Sequence, residues 1–471
     1  HTTLPAPLRD AGSPPPRSDA ERRAMRGAWY TVAVLTLANV SGFVDRQILS
    51  LLVVPIKRDL GVTDTGVSLL MGLSFVIFYS LLGLPIGRWV DQGPRKLIVA
   101  LGALVWSALT IASGFARTFG QLFAARVGVG VGEATLQPAA ISLIADAFPR
   151  RRLGTAMSVF MLGTFFGSGV AYALGAYVVG EMDRPGLVSL PFVGAIYPWQ
   201  TVFLIVGLPG VIVALLALTM REPVRGGMDV VVNAESTTRT PAGAGRDDSA
   251  SRVPFAQFVA YLRSNARTVT ALSLGFACSA SVNYGIGAWL ATFFVRTHGW
   301  SIQRAGTLQG VLTMTVGVIG TLAGGRLTDH WSRKGRTDAP ILVGMLGAAG
   351  MLLTATAYPL VSSPTAAALL LIPVNLFAAM PWGAASAAIA EAMPSRMRGQ
   401  GSAVYQLVVN LASGALGPTS VALLTDRLFG NEASLRYSLA LCTVVGMTLT
   451  LLLLQWGRPA FRRTVEQARG L

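Results

Sequence analysis

The stretch ADAFPRRRLG, residues 145–154, returns as AEAMPSRMRG at residues 390–399, with acid, proline, arginine and glycine in register. A second echo lies upstream of each: Gly87-Arg88-Trp89-Val90-Asp91 is matched by Gly325-Arg326-Leu327-Thr328-Asp329. The two pairs stand at nearly the same offset, so the chain reads as two copies of one unit. What surrounds them is apolar. The chain is 52% hydrophobic and 13% charged, with a mean hydropathy of +0.56, whereas a soluble domain is ~25% charged. Its principal solvent is therefore lipid.

A membrane-crossing helix needs ~20 apolar residues. Twelve such spans are read at 29–54, 65–89, 97–116, 119–147, 154–179, 199–220, 268–295, 303–328, 340–359, 364–392, 401–425 and 435–456. The expected fold is all-α and integral to the membrane, twelve transmembrane helices in two six-helix repeats. Its units are a disordered leader 1–27, a first bundle 28–221, a linker 222–267, a second bundle 268–457 and a tail 458–471. The leader has no apolar run and is not read as a cleavable signal. The linker is polar from Arg221 to about Ser251 and lacks apolar periodicity, which predicts a flexible tether. At its far end Phe255, Phe258, Val259 and Leu262 recur at helical spacing, predicting an amphipathic helix over 252–264 on the membrane surface.

The net charge of +16 is positional. Arginines and lysines crowd alternate loops, among them Arg22, Arg23 and Arg26, Arg150 to Arg152, Arg333 to Arg336, and Arg458 to Arg463. That alternation is the positive-inside pattern and places both termini in the cytoplasm of a multi-pass inner-membrane protein. It argues against a nucleic-acid partner. Cys278 and Cys442 fall within spans and make neither a disulfide framework nor a metal set; no metal or cofactor is expected. His1, His298 and His330 all lie away from mid-span, which disfavours an imidazole proton relay.

Four charges do lie at membrane depth: Asp45 and Arg46 in span one, Arg126 and Glu133 in span four. Each costs at least ~2.5–3.5 kcal/mol there, so such residues face partners, water or cargo. Arg126 and Glu133 are two helical turns apart, ~10.5 Å along one face. Asp45 and Arg46, being adjacent, address different neighbours. The second half has neutral polar groups instead: Asn283, Tyr284, Asn375, Trp382, Tyr405 and Asn410.

Gly87 to Lys96, GRWVDQGPRK, resembles the signature loop G-x-x-x-D-R-x-G-R-R of the major facilitator superfamily, and Gly325 to Asp329 is its weaker copy. Arg126 to Gly130 resembles that superfamily's R-x-x-Q-G motif with Val129 at the glutamine position, and Gly163 to Gly175 is a loose form of its glycine-rich motif. The Asp-Arg pair of FVDRQIL with R-x-x-x-G-x-G-E-A in span four is similar to the Spinster-like group. Parallel repeats about an axis along the membrane normal belong to this transporter fold. The resemblance implies alternating access and proton-linked movement of a lysophospholipid or sphingosine-1-phosphate type of cargo.

With spans one and four lining a central cavity, as the resemblance implies, Asp45 is expected to face Arg126 and Arg46 to face Glu133. Burial and a close guanidinium act on a carboxylate's proton affinity in opposite senses, so Glu133 and Asp45 are the proton-coupling candidates. Arg46, Arg126, Tyr79, Gln137, Asn283, Tyr284, Asn375, Trp382, Tyr405 and Asn410 are the cargo-binding candidates. Gly87, Asp91, Gly93, Arg95, Lys96, Gly325 and Asp329 form the expected conformational switch. Asp91 would seat on the N-terminal end of span eleven near Gly399 to Ser402, where free N–H groups favour a carboxylate. Asp329 would do the same against span five.

GVGVGEA lacks the strand-turn-helix setting of a nucleotide site, and no P-loop lysine motif occurs, so neither an enzyme nor an ATP-driven pump is expected. No repeated filter segment suggests a channel. The expected function is a monomeric secondary transporter whose partners are the bilayer, protons and an amphiphilic anion or zwitterion. A multidrug or small organic-anion transporter of the same fold is the second reading, and a transport-inactive lipid receptor a remote third.

Overall fold

A computed structural model describes residues 19–182, 188–190, 194–225, 255–394 and 397–470. Among these residues, twelve helical segments have the length and apolarity to cross a membrane, numbered here span 1 to span 12. In the first half they are Met25–Leu51, Asp64–Gly83, Arg95–Ser113, Phe119–Ala147, Arg152–Glu181 and Pro198–Thr219. In the second half they are Ala266–His298, Ile302–Arg333, Ala339–Ala357, Pro364–Ala392, Gln400–Phe429 and Glu432–Gln467. A short antiparallel hairpin, β1 (Val188–Leu190) and β2 (Gly194–Ile196), joins spans 5 and 6 with Ser189 opposite Ala195.

Local chemistry fixes several ends. The hydroxyls of Thr63, Thr118, Ser301 and Ser363 each accept a backbone N–H three residues on and so cap spans 2, 4, 8 and 10. Span 1 was expected to run unbroken over 29–54. Instead its helix, Asp19–Leu51, stops and a short helix Val53–Leu60 follows. Pro55 is the reason: it has no N–H for the Leu51 carbonyl, and its ring crowds that turn. The short helix closes on Gly61 at φ +64°, left-handed backbone that suits glycine.

The helix boundaries also redraw the termini of the bundles. Residues 19–27, expected in the leader, are the opening turns of the first helix. The last helix, Leu435–Gly470, takes in most of the expected tail. The amphipathic helix is shorter than 252–264, at Phe255–Ser264. Its Phe258 is buried, Tyr261 and Leu262 pack on the second bundle, and the Tyr261 hydroxyl donates to the Ala392 carbonyl at 2.6 Å. Residues 226–254 of the linker lie outside the described residues.

Packing within each half is tight. Span 5 crosses span 1 at Gly167, where a Cβ would come within 2.9 Å of the Val40 Cα. One apolar core around Trp106, Phe148 and Phe160 belongs wholly to the first half, and another around Phe276, Tyr405 and Phe461 wholly to the second. The largest core draws on both: Ile48, Leu52 and Trp199 pack with Trp289, Phe293 and Leu439. It sits toward the end of the bundle away from the chain termini. Two glycine crossings bring the halves into backbone contact. A Cβ on Gly72 of span 2 would strike the Gly414 carbonyl of span 11, and one on Gly310 of span 8 would lie 2.5 Å from the Gly169 carbonyl oxygen. Among the described residues, Lys57, Asp64 and Thr65 of the first half are tied to Glu432, Arg296 and Asp426 of the second at that far end, where the molecule is closed.

Candidate functional site: a buried charge cluster between spans 1 and 4

Span 1 brings Asp45 and Arg46 to mid-bundle and span 4 brings Arg126 and Glu133. Asp45 is 0% exposed, and Arg126 and Glu133 are each 1% exposed. Arg46 meets Glu133 through two nitrogens: Nε donates to Oε2 at 2.6 Å and an Nη lies 2.5 Å from the same oxygen. Gly42, one turn before Arg46, makes the room, since a Cβ there would lie 3.2 Å from that oxygen. The guanidinium is then boxed by three rings, 5.0 Å from Phe43, 4.4 Å from Phe75 and 5.1 Å from Tyr79. Ring faces attract a cation, so the arginine is held in place by groups on spans 1, 2 and 4.

The second expected pair is wired differently. Arg126 Nη2 donates to the backbone carbonyl of Asp45 at 3.1 Å, not to its carboxylate. Asp45 Oδ1 and Oδ2, Arg126 Nε and Nη1, and Glu133 Oε1 are buried with no hydrogen-bond partner among the described residues. Arg126 is therefore anchored by one nitrogen and keeps two donors. Asp45 has no cation on its carboxylate among the described residues, with the Thr110 hydroxyl beside it. Orphaned groups of this kind at a low-dielectric centre are costly unless water, a proton or a ligand engages them.

Tyr284 of span 7 reaches this cluster from the second half, close enough to Arg46, Arg126 and Glu133 for electrostatic contact, with its hydroxyl 3.5 Å from the Met71 carbonyl. Asn283, Gln137 and Asn410 are half-buried. Three other candidates are not drawn in. Asn375 donates to its own helix at the Leu371 carbonyl, Tyr405 packs edge-on to Phe276 inside the second core, and Trp382 is 58% exposed. Neutral side chains on several helices carry no sequence signal of direction, and these three turned elsewhere.

The switch residues separate into two kinds. Arg95 is fully buried. It binds Asp146, the Ser142 hydroxyl at 2.8 Å, the Glu222 carboxylate at 3.0 Å and the Pro223 carbonyl at 2.8 Å. Lys96 donates its backbone N–H to Glu222 at 2.9 Å, and the Gly93 carbonyl accepts from Arg225. All these contacts stay within the first half. Burial alone would raise the Glu222 pKa, but hydrogen bonds from the Lys96 N–H and from Arg95 outweigh it and hold the carboxyl below its usual range. Gly87 and Gly325 have open space where a Cβ would stand. Asp329 is exposed, with no ion pair among the described residues. The Asp91 side chain lies outside the described residues, so its expected seat on span 11 does too.

A second charge cluster was not foreseen. At the far end Asp64 accepts from Lys57 at 2.6 Å and from Arg296 at 2.6 and 2.9 Å. Glu432 binds the same lysine at 2.6 Å and the same arginine at 3.1 Å. Asp426 accepts the backbone N–H and the hydroxyl of Thr65, each at 2.7 Å. Lys57, Asp64 and Thr65 come from the first half, and Arg296, Asp426 and Glu432 from the second. Asp64 is 0% exposed and Arg296 10%. These charges sit at or near span ends, where a charge costs little, so the sequence carries no strong signal for them.

The description Major Facilitator Superfamily belongs to a family model that matches residues 35–418. The chain is 28% identical over 454 residues to an MFS-type efflux pump of Mycolicibacterium smegmatis, covering 96% of this chain and 97% of that one. It is 26% identical to protein spinster homolog 1 of Homo sapiens over 88% of this chain and 78% of the relative. It is also 26% identical to a probable galactarate/D-glucarate transporter of Bacillus subtilis, covering 82% and 83%. A solved bacterial homolog of the human lysosomal transporter Spinster, inward-facing and unoccupied, superposes with a TM-score of 0.76 at 26% identity over 97% of this chain and 99% of that one.

Proposed function

Since the chain belongs to the Major Facilitator Superfamily, in its Spinster-like group, we propose that it is a proton-coupled transporter of an amphiphilic organic anion or zwitterion of the lysolipid type. It sits in the inner membrane with both termini in the cytoplasm, as the arginine-rich loops at that end suggest. The state described above is then sealed toward the outside by the far-end charges. One observation carries the reading: an aromatic box holds Arg46 against Glu133, beside an unpaired Asp45 carboxylate and an Arg126 with two free donors. Arg126 is suited to a phosphate or carboxylate headgroup, which a planar guanidinium grips bidentately. The rings and a second half with almost no charge at mid-span suit an apolar body. Glu133 or Asp45 carries the proton, the cargo headgroup and the proton competing for the same cluster.

The sugar-acid relative favours a second reading, a small hydrophilic organic anion on the same Arg126 donors. Reconstituted protein should accumulate a fluorescent lysophospholipid when a pH gradient is imposed and lose accumulation when the gradient is collapsed. Accumulation of a hydrophilic dicarboxylate with no competition from lysolipid would select the second reading.

A further inference from the structure

The arginines at the termini end do more than record topology. On span 7, Arg267 donates through Nε and Nη2 to the Trp456 carbonyl of span 12, at 3.0 and 2.7 Å, and its guanidinium stacks 5.0 Å from the Trp456 ring. Thr464 of span 12 bonds Thr268 at 3.0 Å and Asn265 at 3.1 Å, which draws Arg263, Arg267 and Arg463 to one small patch. All three arginines are exposed. Among the described residues, Arg463 makes a 3.4 Å bond to its own helix, at the Pro459 carbonyl. Below them the exposed stripe continues through Trp456 at 47%, Leu452 at 61% and Leu274 at 44%, the apolar surface of a lipid-facing helix pair. Glu466 is exposed close by on span 12 and leaves the patch net positive.

The first half repeats the patch. Arg23 and Arg26 on span 1 and Arg221 after span 6 are exposed, and the stem of Arg221 lies against Gly27, where a Cβ would be 3.8 Å from its Cδ. The aromatic there is Tyr30, 40% exposed, whose hydroxyl bonds Thr219 of span 6 at 2.6 Å. Arg23, Arg26 and Arg221 precede Arg263, Arg267 and Arg463 by offsets that fall between those of the two sequence echoes. The same three charges therefore stand in the same cleft of each copy, spans 1 and 6 in one and spans 7 and 12 in the other. A topology signal requires charge in a loop. It does not require an interfacial aromatic and a helix-pair cleft twice over, nor an arginine stacked on one of those aromatics.

We propose that each cleft is a binding site for the phosphate headgroup of an anionic membrane phospholipid, its acyl chains lying down the exposed stripe below. Arginine clusters at the membrane surface attract anionic lipid, with the exposed guanidiniums of Arg263 and Arg463 able to grip phosphate and Arg267, held on Trp456, adding its charge. The two sites lie on the outer wall of the bundles, away from the buried cluster, and do not depend on what the protein carries.

The full chain in neutral detergent would be titrated with phosphatidylglycerol, with phosphatidylcholine and with inorganic phosphate, and bound lipid counted by native mass spectrometry. The expected result is two phosphatidylglycerol molecules retained beyond the phosphatidylcholine count and no displacement by millimolar phosphate. R263Q/R267Q/R463Q should lose one and R23Q/R26Q/R221Q the other, with about fivefold weaker binding per arginine removed. Trp456→Leu keeps every charge and the Arg267 bond to the backbone. It should weaken only the second-half site at an unchanged melting temperature, and it serves if a triple variant does not fold. Equal retention of the two lipids, displacement by free phosphate, or undiminished binding in the folded variants would overturn the proposal.

Discussion

The two halves are built on one plan and wired oppositely. At the termini end, the first half ties the start of span 3 to the segment after span 6 through Arg95 and Glu222. The second half ties the equivalent place, Asp338 just before span 9, to Arg458 and Arg462 of span 12. The brace recurs with its sign reversed. A brace needs opposite charges at one spot and is indifferent to which helix carries which, so duplication followed by drift can invert it. The mid-bundle charges obey no such freedom. Asp45, Arg46, Arg126 and Glu133 all belong to the first half, and among the described residues the second half answers them with Tyr284. Chemistry is concentrated in one copy, and the other supplies an apolar wall and half of the far-end lock.

The sharpest way to break that asymmetry is at Glu133. Glu133→Gln removes the anion from the Arg46 box and mimics a permanently protonated acid. Gradient-driven transport is expected to fall at least tenfold while cargo exchange persists, read with a pH-sensitive dye in liposomes. Leaving Arg46 without its partner also costs stability, toward the lower part of the ~3–5 kcal/mol range for a broken buried pair, because Arg46 retains its three rings and 21% exposure. Asp45→Asn assigns the roles, since two nearby acids titrate as a unit. Tyr405→Phe and Asn375→Ala in the second half should change transport by less than twofold. If both acid variants still move cargo uphill, or the second-half variants fail equally, the division of labour between the copies is wrong.

A smaller effect is expected at the far-end lock, where both halves contribute charge. Asp64→Asn weakens three charge-assisted bonds to Lys57 and Arg296, each worth ~1.5–3 kcal/mol, and leaves the exposed Glu432 to bridge the two cations. The ensemble should shift toward opening at that end by at least tenfold in population. Distances between spin labels on β1 and on the loop before span 12 would lengthen. Asp91→Asn, at the opposite end, should spread the loops there in any state where that end is closed. Unchanged far-end distances in Asp64→Asn would show that the glycine crossings, not the charges, hold the halves together.

The fold was legible because its signals are long-range and redundant. Twelve apolar runs, alternating basic loops and two echoes each point to the same architecture, and only local chemistry such as the Pro55 break escaped. The mid-membrane charges were legible for the same reason: a charge in hydrocarbon is conspicuous on any scale. Their partners were less so. That Arg126 grips the Asp45 carbonyl instead of its carboxylate depends on a helix rotation of tens of degrees, which side-chain chemistry alone does not encode. The far-end lock was missed because Lys57, Asp64, Arg296 and Glu432 sit near span ends, where a charge is cheap and so tells little. Asn375 and Tyr405 are not drawn into the cluster because a neutral polar side chain bonds to its own helix or packs in a core as readily as it faces a cavity.

The inverted braces give the mildest test and the cleanest comparison between the halves. Burial alone would raise the Asp338 pKa, but the hydrogen bonds and charges of Arg458 and Arg462 outweigh it and hold this carboxyl, like that of Glu222, below its usual range. Folding therefore favours the charged form of each acid. The stability each supplies is fully present above its unfolded pKa, ~3.9 for Asp and ~4.3 for Glu, and is lost as pH falls through the lower folded value. Asp338→Asn should lower the melting temperature near neutral pH by a few degrees and flatten its decline below about pH 4. Glu222→Gln should do the same more weakly, because Arg95 keeps Asp146, Ser142 and the Pro223 carbonyl, whereas Arg458 and Arg462 both depend on Asp338. Melting curves of the two variants from pH 3 to pH 7 check the order. A larger loss in Glu222→Gln than in Asp338→Asn would mean that the first brace depends on its carboxylate more than its shared arginine suggests.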